Sequence, residues 1–244
     1  MLHTTSLHSF GRYLGAQSTP AAERSRIQKP AIAITRQTGS GALTVAALIA
    51  EKLNVDLQGD PPCPWTVFDR NLVSKILEDH KLSAATEAFM PEDTRFSLTD
   101  AFESLLGLHP GSWNLREYAK KTVRKLASGG NVILVGRGSV IVTANMPQVL
   151  HVRLVAPLDF RVRHYAEISN ISATKATQDI REMDDARNRY LHSYFNADVD
   201  DPLHYHLIVN TGKTGFQEAA QIITSALKGL LSDHNPQVHP VHTG

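Results

Sequence analysis

The stretch Ala31-Ile32-Ala33-Ile34-Thr35-Arg36-Gln37-Thr38-Gly39-Ser40-Gly41-Ala42-Leu43-Thr44 joins an apolar run, two close glycines and the start of an amphipathic pattern. The run over residues 31–35 shows no clean in–out alternation. It therefore predicts a strand covered on both faces, as in a parallel sheet. Beyond the glycines, Val45, Leu48, Ile49 and Leu53 fall on one face of a helix over residues 42–53. A strand, a glycine-bearing turn and a helix N-terminus in succession make an anion site. The turn presents backbone N–H groups, and the helix dipole adds partial positive charge. Glycine in such a turn lets a phosphate approach where a side chain would block it. Gly-Ser-Gly alone also fits an ordinary strand-to-helix turn.

Four further apolar runs, over residues 65–68, 131–135, 149–155 and 205–209, read as strands of the same kind. Helical patterns alternate with them. Residues 114–127 place Leu115, Tyr118, Thr122 and Leu126 inward and Arg116, Lys120, Lys121, Arg124 and Lys125 outward, and Gly129-Gly130 stops that helix. Pro157 suits the first position of a helix reaching about residue 169. Ser172 is placed to cap a longer helix to about Phe195, with Ile180, Met183, Tyr190 and Tyr194 inward. Thr214 and Gln217 have capping-box spacing before a final helix carrying Ile222, Ile223 and Leu227. This alternation predicts an α/β fold with a five-stranded, mostly parallel sheet. Ligands in such sheets bind at the carboxyl ends of the strands.

Those ends hold the remaining candidates. Asp69 closes the second run, where it can orient a substrate hydroxyl, hold magnesium through water, or cap a helix over residues 71–79. Arg137 stands between Gly136 and Gly138 after the third run, where a planar guanidinium suits bidentate phosphate binding better than packing. On the long helix, Asp184 and Arg187 lie one turn apart and can pair. The arginines there, among them Arg187 and Arg189, lead into the polar loop 195–202, a segment fit for a lid over a transferring phosphoryl group.

Composition narrows the field. The 244 residues carry 25 Lys plus Arg against 24 Asp plus Glu, a balance unlike a nucleic-acid coat or an acidic tail. The basic face over residues 116–125 reads as solvated, so no nucleic-acid partner is expected. Cys63 is the single cysteine, which excludes an internal disulfide framework and a cysteine-rich zinc site. Twelve histidines raise a metal-site reading, but His204 and His206 beside a scattered His234, His239 and His242 match no ligand pattern, and no metal ligand is assigned. No apolar run approaches a membrane span, no secretory leader is evident, and a cytoplasmic protein is expected. Residues 1–30 read as a loose extension, 31–230 as one domain and 231–244 as a frayed tail.

Taken in order, Ile34-Thr35-Arg36 with Gly39-Ser40-Gly41, Phe68-Asp69, Gly136-Arg137-Gly138, the run Val152 to Pro157 leading to Arg161, Asp184 with Arg187 and Tyr190, and the strand end at Asn210-Thr211 resemble the cytidylate kinase-like family of P-loop proteins. The resemblance spans about residues 31–227. It implies a P-loop NTPase fold: a five-stranded parallel sheet flanked by helices, with a helical acceptor-binding region and a lid. It also implies ATP and Mg2+ as cofactors and a nucleoside monophosphate such as CMP as acceptor. Arg36, Gly39, Ser40, Gly41 and Thr44 would line the donor phosphates, Asp69 and Arg137 would face the acceptor, and Arg187 and Arg189 would be catalytic lid arginines.

The chain departs from that pattern in its loop. Ala42 stands where the phosphate-loop lysine belongs, and Val135 stands where cytidylate kinases carry an acid. Two readings follow: a phosphotransferase in which other arginines neutralise the phosphates, or a nucleotide-binding sensor or interaction domain without catalysis.

Overall fold

Five parallel strands form the frame: β1 (Ala31–Arg36), β2 (Thr66–Asp69), β3 (Val132–Val135), β4 (Val149–Val155) and β5 (Leu207–Asn210), in the order β2-β3-β1-β4-β5. Among the described residues the helices are α1 (Ala42–Asp56), α2 (Trp113–Gly129), α3 (Ser139–Val142), α4 (Leu158–Ser169), α5 (Ala173–Phe195), α6 (Thr211–Thr214) and α7 (Phe216–Asp233), with a 3-10 turn at Pro202–His204. This computed structural model describes residues 29–56, 64–69, 113–136 and 138–233. Expectations for residues 1–28, Cys63, residues 71–112, Arg137 and the histidines at 234, 239 and 242 lie outside the described residues. Among the described residues no helix is long and apolar enough to cross a membrane.

β1 explains why its run is continuous rather than alternating. Ile32 and Ile34 pack on one face against Val45 and Ile49 of α1 and Ile223 and Leu227 of α7. Ala31 and Ala33 pack on the other against Val123 and Leu126 of α2 and Val140 and Val142 of α3. Each fully buried Ile contributes about 1.5–3 kcal/mol of apolar transfer. In register, Ile34 lies between Val135 of β3 and Val152 of β4, so the chain leaves β1 beside the ends of both neighbours. β3 lies to one side of β1 and β4 to the other, which makes this end of β1 a topological switch point.

Several boundaries differ from expectation. β5 begins at Leu207 rather than at residue 205, because His151 and His206 first exchange backbone and side-chain bonds. The His206 N–H donates to the His151 carbonyl, and the His151 N–H donates to His206 Nδ1, both at 2.9 Å. Pro157 stands at the position before α4 in an extended conformation, with no side-chain capping bond, instead of entering the helix. Thr214 does not cap α7: it ends α6, and its hydroxyl bonds the Asn210 and Gly215 carbonyls. Ser172 does cap α5, accepting from Lys175 N–H at 3.2 Å. On α5 Ile180 is buried as expected, whereas Tyr194 is exposed.

Candidate functional site

The turn after β1 is held from several sides. Gln37 N–H donates to the Leu154 carbonyl at 2.9 Å, and Gln37 Oε1 accepts from Ala156 N–H at 3.1 Å. Ser40 closes the turn from inside, its N–H and hydroxyl both donating to the Gln37 carbonyl at 3.2 and 2.8 Å. Ser40 is fully buried, so in this conformation its hydroxyl shapes the loop instead of facing a ligand. Gly39 and Gly41 adopt φ of +83° and +78°, a region that disfavours side chains. A Cβ at Gly39 would lie 2.5 Å from the Arg161 carbonyl oxygen, and one at Gly41 2.2 Å from the Phe216 ring. The glycines thus also serve the packing of α4 and α7 on the loop, a reason the sequence did not disclose.

Two arginines converge on this turn. From α4, Arg161 NH1 donates to the Thr38 carbonyl at 3.2 Å and to Asp184 Oδ2 at 2.6 Å, while its Nε donates to the Ala156 carbonyl. From α5, Arg187 NH1 donates to Asp184 Oδ1 at 2.6 Å and NH2 to the Thr38 hydroxyl at 3.2 Å. Asp184 Oδ1 also accepts Thr38 N–H at 2.8 Å. The Arg187 side chain is only 9% exposed, and its buried Nε has no hydrogen-bond partner among the described residues. Burial pushes the Asp184 carboxyl up, but bonds from the Thr38 amide and hydroxyl, with Arg187 and Arg161, bring it below its ordinary value. Burial lowers Arg187, Asp184 raises it, and Arg153 and Arg161 lower it further; the net shift is downward, and the guanidinium remains charged at neutral pH.

The other sequence candidates are dispersed. Arg36 ends β1 half-buried, and Thr44 lies half-buried in the first turn of α1. Ala42 is buried in the apolar cluster beneath the loop. Asp69 ends β2, with β3 between it and β1. Arg137 is outside the described residues, but its neighbours are informative. Gly138 has φ +73°, and a Cβ there would lie 2.8 Å from the Phe195 ring, so the end of α5 packs on the turn after β3. Arg189 does not join Arg187 at the loop. It is exposed and lines an open groove with Asn188, His192, Asn196 and Asp198.

The segment expected to be a lid is anchored in this conformation. Arg153, on β4 and nearly fully buried, donates to the Val199 carbonyl at 2.6 Å and pairs with Asp200. Tyr205 hydroxyl donates to the same carbonyl at 2.7 Å. Sequence reasoning gave no role to Thr38, Arg153 or His164, whose Nδ1 lies 3.0 Å from the Gly39 carbonyl. Arg161 had a signal, four residues after the helix-starting Pro157, but nothing local told a loop contact from a solvated face. Among the described residues no three His, Cys, Asp or Glu side chains converge on a common point.

The sequence pattern of the cytidylate kinase-like family matches residues 31–213. The cytidylate kinase of Staphylothermus marinus is 26% identical over 117 residues, covering 48% of this chain and 65% of that protein, just under two thirds of its length. The cytidylate kinase of Methanocaldococcus jannaschii is 23% identical over 203 residues, covering 79% of this chain and 94% of that protein. The crystal structure of an uncharacterized protein from Eubacterium ventriosum has a TM-score of 0.56 at 17% identity, covering 82% of this chain and 99% of that one. This likeness shows a shared fold. With a match that runs from the first strand to the short helix after the fifth, and with the sheet and loop described above, the chain belongs to the cytidylate kinase-like family.

Proposed function

We propose that this protein binds a nucleotide at the loop of residues 36–44 and transfers a phosphoryl group from ATP to a nucleoside monophosphate of the CMP or dCMP kind, or to a related small phosphorylated acceptor. The observation that supports this most directly is Arg187, a buried guanidinium beside the loop whose Nε has no partner among the described residues. Phosphate oxygens supply acceptors in a geometry that matches the guanidinium fork. Arg161 brings a second cation to the same turn, and the N-terminus of α1 adds partial positive charge. In this reading the two arginines replace the lysine that Ala42 lacks, since phosphoryl transfer relies mainly on positioning and charge stabilisation.

The acceptor would meet Asp69 and Arg137 at the ends of β2 and β3. Magnesium takes one or two protein oxygens when nucleotide phosphates provide the rest, and the Thr44 hydroxyl in the first turn of α1, beside the loop, is the oxygen that would hold it. The ion would supply charge neutralisation across the transferred group. Arg187 and Arg161 would orient the donor phosphates for in-line attack and stabilise developing charge.

A second reading, a nucleotide-binding sensor without catalysis, is favoured by the burial of Ala42 in the apolar cluster. Calorimetry with ATP and Mg2+, followed by ADP release with a panel of nucleoside monophosphates, separates the two. Binding with turnover supports the kinase, and binding without turnover on any acceptor supports the sensor. No binding overturns both.

A further inference from the structure

The three donors that face the first turn of the loop all end on one carboxylate. Asp184 accepts the Thr38 backbone N–H at 2.8 Å, Arg161 NH1 at 2.6 Å and Arg187 NH1 at 2.6 Å. An amide of a strand-to-helix turn together with two guanidinium groups is the donor set expected around a phosphate oxygen. Here one side chain from α5 occupies it. The charges do not balance, because two guanidinium groups share one carboxylate. The buried Arg187 Nε adds a donor that Asp184 leaves unused. A ligand carrying two or more negative charges and several acceptor oxygens would satisfy this set better than Asp184 does.

Resting on the phosphate-loop reading above, we propose that Asp184 is an internal surrogate for ligand phosphate, holding Arg161 and Arg187 on the loop until a polyphosphate displaces it. The surrogate keeps the buried Arg187 and the partly buried Arg161 paired and in place when no ligand is bound, which avoids the repulsion of two uncompensated cations. It also sets a threshold. Chloride or a single carboxylate competes poorly with a resident carboxylate already bonded to three donors, whereas a polyphosphate wins by charge and by number of oxygens. Displacement leaves Asp184 beside a polyanion, so its side chain must turn away from the loop, and ligand occupancy is thereby coupled to the position of the Asp184 carboxylate. A purely structural role for Asp184, holding the arginines in place for the ligand, makes the opposite prediction for its removal.

The test uses the full chain, inorganic tripolyphosphate as probe, and the variant Asp184→Asn, which keeps size and removes charge. The surrogate predicts tripolyphosphate affinity higher by about tenfold in the variant, because the competitor is gone while the donors remain. Unchanged or weaker affinity in a folded variant, with clear binding by the wild-type protein, overturns the surrogate and leaves the phosphate-loop reading standing. If neither protein binds tripolyphosphate or ATP, the phosphate-loop reading itself fails and the surrogate with it. Should the variant not fold, the wild-type protein carries the test. Carbon NMR of the Asp184 carboxyl is expected to show its titration move upward when tripolyphosphate is added, as the arginines leave it. A carboxyl whose titration stays in place or falls in the saturated complex overturns the proposal.

Discussion

Arg187 and Arg189 are two positions apart on α5, so helical geometry points them about 200° apart. Arg187 reaches Thr38 of the loop, whereas Arg189 is exposed on another face. Replacing Arg187 with Gln is expected to lower ADP release with ATP and CMP by about a hundredfold or more, the scale of losing one preorganised donor. Steady-state kcat/KM checks this, with a thermal melt to show that the fold survives. A second residue-scale prediction concerns glycine. Gly41→Ala places a methyl group into the Phe216 ring at a left-handed φ, and is expected to cost about 2–4 kcal/mol in urea denaturation. Gly215 has nothing within 4 Å of a Cβ, but φ +75° with ψ 172° is backbone that essentially only glycine adopts, so Gly215→Ala is expected to cost about 1–3 kcal/mol from backbone strain alone. That the turn after β1 needs its glycines was legible in sequence, but the packing that requires them at Gly39 and Gly41 was not. Phosphate approach is a local argument, whereas contact with Arg161 and Phe216 depends on residues far along the chain.

At the scale of elements, the strands and helices were legible wherever a pattern answered to burial. β4 was read with its observed bounds, since Leu150, Val152 and Leu154 fill one face and Val149 starts the other. Its remaining face is less apolar than the run suggested, because His151 and Arg153 lie there buried and bonded. Capping signals were mixed. Ser172 caps α5, and Ser172→Ala is expected to destabilise by about 0.5–1 kcal/mol by chemical denaturation, the low end because the bond is exposed. The Thr214–Gln217 spacing failed for a physical reason. Asn210 caps a short helix first, accepting Gly212 N–H, and Gly215 then breaks the chain before α7 begins. A four-residue spacing cannot reveal that a competing cap stands four residues upstream.

The whole molecule should respond to acid in two stages. Burial, and then the neighbouring His206, lower His151 to about 4, only partly offset by its bond with Thr143. His151 is therefore neutral in the fold, while an unfolded histidine takes its proton near pH 6.5. Its contribution is complete above about pH 6.5 and is lost as pH falls toward 4, by up to roughly 3 kcal/mol. Asp184, held below its ordinary value, contributes above the usual carboxyl range and loses that contribution only as pH falls through about 4 and below. Urea midpoints measured at pH 7, 5.5 and 4.5 should fall steadily, and His151→Asn should flatten the slope across that window. The packing of the loop also orders events during synthesis. The Thr211 hydroxyl donates to the Ser40 carbonyl across 171 residues of chain. At about 5–20 residues per second a nascent chain exposes its loop sequence on the order of ten to thirty seconds before that partner exists. A ribosome-bound fragment ending before Phe216 thus carries the loop residues without the ring that packs against Gly41, which ties completion of the loop to near-completion of the domain.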